Sequence, residues 1–167
     1  MIVVSNATPL IAMAMADRFD LLRSIFGRIY IPPGVYEEVV EEGGERFGAM
    51  EVRQAARIQV IEAKDKLAIE VLEDDLGKGE SETIVLAREM QADWVLMDER
   101  LARRKLELLD VPTIGTLGIL LKAKELGFLQ TIRPEVDKLR ARGFRLGRQA
   151  YEDVLKMAGE SGDAFDR

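Results

Sequence analysis

Four oxygen-bearing side chains stand where a strand–helix chain places its chemistry: Asn6, Glu38, Glu80 and Asp98. Asn6 follows the β-branched run that starts at Ile2, and Asp98 follows the run Trp94-Val95-Leu96-Met97. Glu80 lies in the first turn of a helix that opens at Gly79. Glu38 lies within the helix after the second strand. In an open parallel sheet, ligands collect outside the carboxyl ends of the strands. Three carboxylates and an amide converging there suit a hard divalent cation, and such a cation supports phosphodiester hydrolysis. The chain has no histidine and no cysteine. Ser-His-Asp and Cys-His catalysis, disulfides, thiolate sites and imidazole zinc sites are therefore excluded. The oxygen ligands that remain suit Mg²⁺ or Mn²⁺.

Each of these residues also has a plain structural reading. Glu80 suits the dipole at a helix start, and Asp98 suits a cap on the helix that follows. Glu38 stands in an acidic run with Glu37, Glu41 and Glu42, the pattern of a solvated helix face. Asn6 suits a turn. Joint placement, not any single residue, carries the functional reading. Beside Asp98, the segment Arg100, Arg103, Arg104 and Lys105 reads either as a holder of RNA phosphates or as a solvated helix face. The later cations Arg133, Lys138, Arg140, Arg142, Arg145 and Arg148 read as surface on packed helices. Met13 and Met15 read as core or dimer packing, and Trp94 as core. Gly77 and Gly79 form a lone G-x-G with no lysine and hydroxyl after it in nucleotide-loop order.

The elements that must hold these residues alternate. Strands are expected at Ile2–Ser5, Arg28–Ile31, Ile58–Ile61, Trp94–Met97 and Pro112–Ile114. Thr8 is placed as the cap of the first helix, with Pro9 at its first turn, and Asp17 as the cap of the second. Further helices are expected over 34–42, 46–56, 63–76, from Gly79, after Arg100 and over 115–126. Two more, broken near Gly143, follow between Arg133 and Gly159. Such alternation predicts right-handed crossovers and a mostly parallel sheet covered on both faces.

The 167 residues are 47% apolar and 32% charged, as in a well-folded single domain. No apolar run approaches the roughly 20 residues of a membrane span, and the start lacks a basic leader region, so a cytoplasmic protein is expected. A net charge of −6 argues against a broad nucleic-acid-coating face but leaves room for a small basic patch.

Several stretches resemble one family. They are Val4-Ser5-Asn6-Ala7-Thr8-Pro9-Leu10-Ile11 and Ile31-Pro32-Pro33-Gly34-Val35-Tyr36-Glu37-Glu38-Val39, then Gly79-Glu80-Ser81-Glu82-Thr83-Ile84-Val85-Leu86-Ala87. Ala92-Asp93-Trp94-Val95-Leu96-Met97-Asp98-Glu99-Arg100 and Ile114-Gly115-Thr116-Leu117-Gly118-Ile119-Leu120 complete the set. In this order they resemble PIN-domain proteins, in the branch related to VapC-type toxin ribonucleases. The resemblance implies a PIN-like three-layer α/β fold with a central, mostly parallel five-stranded sheet. It implies a nuclease domain over 1–132 and a C-terminal helical extension over 133–167. Asn6, Glu38, Glu80 and Asp98 fall on the family's acidic positions, as metal ligands and catalytic groups for Mg²⁺ or Mn²⁺. Arg100, Arg103 and Arg104 stand as RNA contacts. Glu82 points about 200° round its helix from Glu80, so the two cannot face the metal equally. Glu37 competes with Glu38, and Glu99 is a further contact near the metal. The first position is Asn6, where the catalytic pattern has aspartate.

The resemblance further implies an RNA substrate, the toxin half of a toxin–antitoxin pair, a small antitoxin partner and a homodimer, with no membrane partner. Two other readings stand beside it. One is a non-catalytic binding module on the same fold, motivated by Asn6 and the net acidity. The other is a phosphotransfer enzyme, which would need an aspartate where Asn6 stands.

Overall fold

Short β-branched runs supply the strands, because side chains that branch at Cβ pack well on a pleated surface covered on both faces. In the computed structural model, which describes residues 1–160, β1 (Val3–Ser5), β2 (Ile29–Ile31), β3 (Ile58–Val60), β4 (Trp94–Leu96) and β5 (Thr113–Ile114) form one sheet in the order β3-β2-β1-β4-β5. Every neighbouring pair is parallel. The chain builds outward from β1 through β2 to β3, then returns to place β4 on the other side of β1. The topological switch point therefore lies between β1 and β4.

Alternation along the strands divides the core. Val3, Ile29, Ile31 and Leu96 face one cluster. It is closed by α1 (Ala7–Met15), α2 (Asp20–Phe26), α4 (Ala49–Gln54), α8 (Thr116–Glu125), α9 (Arg133–Ala141) and α10 (Arg148–Met157). Val4, Val95 and Met97 face a second cluster under α5 (Lys66–Leu72), α6 (Lys78–Met90) and α7 (Arg100–Leu108). This is the expected three-layer α/β architecture. Val136, Leu139, Tyr151 and Leu155 share the first cluster with Ile119 and Leu120, so α9 and α10 join the core of the sheet. Residues 161–167 of the expected C-terminal extension lie outside the described residues. Among the described residues, no helix is long and apolar enough to cross a membrane.

Several local expectations are corrected. The first helix starts at Ala7, one residue before Thr8, with Asn6 at the N-cap position. Pro9 still fits, since its missing N–H falls among the four that a helix start leaves unpaired. Asp17 does not cap α2. It sits in the left-handed region (φ 56°) and instead pairs with Lys138 at 3.2 Å and Arg142 at 3.0 Å, tying the end of α1 to α9. Trp94 is half-buried at the amino end of β4 and packs against the first cluster from its margin. The fifth helix starts later than expected because Asp65 caps it, accepting from the Ala68 amide at 3.0 Å, and it ends at Leu72.

The helix after β2 departs most. It begins as the four-residue α3 (Pro33–Tyr36) and widens into a π segment, Glu37–Glu41. A wider turn rotates the side chains that follow, and single π turns recur at functional sites. Gly43 permits the ending, because a Cβ there would lie 1.9 Å from the Val39 carbonyl oxygen.

Candidate functional site

Asn6 leaves the sheet at the carboxyl end of β1, where its backbone amide donates to the Leu96 carbonyl at 3.0 Å. Its position is that of an N-cap, yet its side chain makes no capping hydrogen bond. The residue is 3% exposed, and Oδ1 is buried with no hydrogen-bond partner among the described residues. An unmatched buried oxygen costs about 1–3 kcal/mol, so this one invites a ligand.

What it faces is Gly79. A Cβ on Gly79 would stand 3.4 Å from Asn6 Oδ1 and 3.4 Å from Glu38 Oε2. Asn6 and Glu38 thus reach the same bare Cα from two different elements. Glu38 keeps an exposed flank, but its carboxyl end turns into this crowded corner. Burial, then the neighbouring Glu80 and Glu42, raise its pKa above the ordinary value. Glu80 is half-buried in the first turn of α6 and folds back over Gly77, with Oε2 2.6 Å from where a Cβ of Gly77 would be. Glu37 is taken up by Lys78, whose Nζ reaches its Oε2 at 3.1 Å, while Glu38, the more exposed residue of the two, is the one whose Oε2 reaches Gly79.

Asp98 stands on the other side of the switch point, past β4, with a different occupation. One oxygen accepts from the Thr116 amide at 2.7 Å and the other from Thr116 Oγ1 at 2.6 Å. Asp98 therefore fastens the start of α8, whereas the helix directly after it is capped by Glu99, which accepts from the Ala102 amide at 2.6 Å. Glu99 is turned to its own helix. Arg103 Nη1 lies against the same face of Gly115 as Asp98 Oδ1, at 2.7 Å and 2.8 Å from the position of an absent Cβ. Asp98, Arg100, Arg103, Arg104 and Glu107 line one shallow depression of about 440 Å³. Lys105 leaves that group and pairs with Asp75 at 3.5 Å. Three of the later cations are engaged in packing: Arg140 lies over the Tyr151 ring, Arg142 over Phe47, and Lys138 and Arg142 hold Asp17.

The structure therefore brings Asn6, Glu38 and Glu80 into one corner around the start of α6. It puts Asp98 with the three arginines beside the adjacent strand end. Among the described residues, no three acidic side chains come close enough together to hold a metal ion between them. The donors nevertheless suit a hard cation: all are oxygens, one of them orphaned, and two of them meet over a glycine with no side chain to separate them. Four residues take parts at the site that the sequence did not show: Thr116 and Gly115 beside Asp98, Gly79 between Asn6 and Glu38, and Glu82, weighed only as a rival of Glu80. Glu82 is 7% exposed and lies beneath Gly34. Burial raises its pKa, opposed by Lys78 and the Gly34 amide. The one available signal was a glycine directly before Glu80 and Thr116, at the starts of α6 and α8.

A family model described as a PIN domain (DUF3368) matches residues 2–160. Searches of curated proteins and of solved structures returned no match.

Proposed function

The chain belongs to the PIN-domain family, a nuclease-type family that generally uses divalent metals, and on that premise we propose that it is an endoribonuclease dependent on Mg²⁺ or Mn²⁺. The observation that carries the reading is the buried, unpartnered Asn6 Oδ1 facing Glu38 Oε2 across Gly79. Asn6, Glu38 and Glu80 hold the metal, with Asp98 contributing from the neighbouring strand end. When bound, the cation supplies a nucleophile at neutral pH and offsets charge that develops on the phosphate. The chain's own residues do the rest. Arg100, Arg103 and Arg104 hold the RNA backbone next to Asp98. Glu38 holds the metal through a water or acts as the base towards that water. Asn6 orients the site through a neutral oxygen and adds no charge.

The proposed biological setting is cytoplasmic, as the toxin half of a VapC-like toxin–antitoxin pair, with a homodimeric toxin. A small antitoxin would lay a helix or an arginine across the acidic corner, drawn by charge complementarity. A second reading, a non-catalytic binding module, is favoured by two observations: Asn6 in place of aspartate, and an Asp98 whose two oxygens are already engaged by Thr116.

One assay separates them. Purified wild type, Asn6→Asp and Asp98→Asn are incubated with a mixed RNA pool and Mn²⁺, with an EDTA control. The nuclease reading expects cleavage to rise in Asn6→Asp, because a carboxylate binds the cation more strongly than an amide, and to vanish in Asp98→Asn. Silence from all three, or signal that EDTA does not remove, refutes it.

A further inference from the structure

Glu82 has no part in the proposed chemistry, yet it is a buried carboxylate whose Oε2, among the described residues, makes no well-formed hydrogen bond, with the Gly34 amide and Lys78 as the main groups that favour its charge. A buried carboxylate so thinly paired is costly, and an apolar side chain of similar size would usually serve stability as well or better. Its surroundings give it another use. A Cβ on Gly34 would lie 2.0 Å from Glu82 Oε2, 3.1 Å from its Cδ and 3.3 Å from Lys78 Cγ. The first turn of α3 therefore rests directly on Glu82. Gly34 has no positive φ, so its backbone does not require glycine, and alanine would be the better helix former. What the site requires at 34 is space.

The junction matters because Glu38 and Glu80 come from different elements. Glu38 rides on the π segment that continues α3, and Glu80 rides on α6. The two approach only where α3 leans on the opening turns of α6. That contact is stitched outside by the Lys78–Glu37 pair at 3.1 Å and inside by Glu82 under Gly34. We infer that Glu82 is a positioning residue, a strut under Gly34 that sets how far Glu38 stands from Glu80 and Asn6. Gly34 and Glu82 are a matched pair, and neither can change size alone without moving Glu38.

This rests on the metal-site reading above, and the experiment distinguishes the two. Mn²⁺ affinity is measured by titration calorimetry on the full chain. The proteins are wild type, Gly34→Ala, Glu82→Ala, the double variant, Glu82→Gln, and Glu82→Ala in a Glu38→Gln background. Each single alanine change should weaken binding about tenfold, as changes to the supports of metal ligands commonly do. The double variant should bind more tightly than either single one, because the methyl that Gly34→Ala adds enters the space that Glu82 vacates. Glu82→Gln keeps the shape and should keep the affinity. In the Glu38→Gln background Glu82→Ala should cost nothing further, since the strut acts through Glu38. Circular dichroism identifies any variant that does not fold. If Gly34→Ala is one, Glu82→Ala with and without Glu38→Gln carries the test. Wild-type binding with Glu82→Ala unchanged overturns the strut alone. Equal loss in the Glu38→Gln background also overturns it, by making Glu82 a general stabiliser. A wild type that does not bind Mn²⁺ brings down the metal site and the strut together.

Discussion

Replacing Gly79 by alanine should make the protein more stable and the site worse. Gly79 is the second residue of α6, and a methyl there would stand 3.4 Å from Asn6 Oδ1, 3.4 Å from Glu38 Oε2 and 3.5 Å from Val35 Cγ2. These are contact distances, so the fold has room. Alanine is favoured over glycine within a helix by about 0.5–1 kcal/mol. At roughly 2–4 °C per kcal/mol for a domain of this size, Gly79→Ala should melt about 1–4 °C above wild type in EDTA. The same methyl touches both donor oxygens. Oxygen ligands stand about 2.0–2.1 Å from Mg²⁺, with waters completing the shell, and a methyl against two of those oxygens displaces that water. Wild type at a hundredfold excess of Mn²⁺ over its Kd should gain about 2.7 kcal/mol, or roughly 5–11 °C by the same conversion. The order of melting should therefore reverse between EDTA and saturating Mn²⁺, as read by scanning calorimetry. A variant that keeps the full Mn²⁺ shift would show that the metal does not use this face of Gly79. A variant that melts below wild type in EDTA would show that crowding outweighs the helix gain.

Other expectations follow from single contacts. Thr116→Val removes the 2.6 Å hydrogen bond to Asp98 and should cost about 1.5–3 kcal/mol in metal-free protein by denaturant titration. Gly43→Ala sets a Cβ 1.9 Å from a backbone oxygen that cannot rotate away. It should lower stability by at least about 2 kcal/mol and weaken Mn²⁺ binding by disturbing the π segment that carries Glu38. Glu160 is partly desolvated, which raises its pKa. The Ile132 and Arg133 amides and Lys124 outweigh that and hold it below its ordinary value. Its contribution is thus present above the ordinary glutamate pKa and lost as pH falls through the lower folded one. Glu160→Gln should melt lower at neutral pH and converge with wild type in acid, and equal gaps at both pH values would refute the assignment.

The sheet was legible because its signal is local. Each strand is a short run rich in β-branched or aromatic residues, and Pro32-Pro33 or Gly43-Gly44 marks where an element must stop. Asn6 and Asp98 were legible as residues directly after strands. What escaped depends on partners distant in sequence. Asp98 resembles a cap for the helix that follows, but its partner Thr116 is 18 residues on, beyond a whole helix and β5. Asp17 resembles a cap for α2, but Lys138 and Arg142 claim it from the far end of the chain. The π segment at Glu37–Glu41 has no composition that separates it from an α-helix, since its width is set by packing and by the space at Gly43. The burial of Glu82 was hidden for a similar reason. The helical register turned Glu82 away from Glu80, but only α3 laid over it shows where it goes.

Trp94 offers an optical consequence. It is the sole tryptophan of the chain and sits half-buried at the amino end of β4, next to Val3 on β1. Asp98 lies four residues further along, about 13 Å away at the rise of a strand. The indole therefore packs on the first cluster near the end of the sheet opposite the acidic corner. Its emission should shift to the red when the sheet comes apart and stay level when Mg²⁺ is added. Intrinsic fluorescence here is a gauge of cohesion and is blind to occupancy, so following the cation by light calls for a second chromophore at the carboxyl edge.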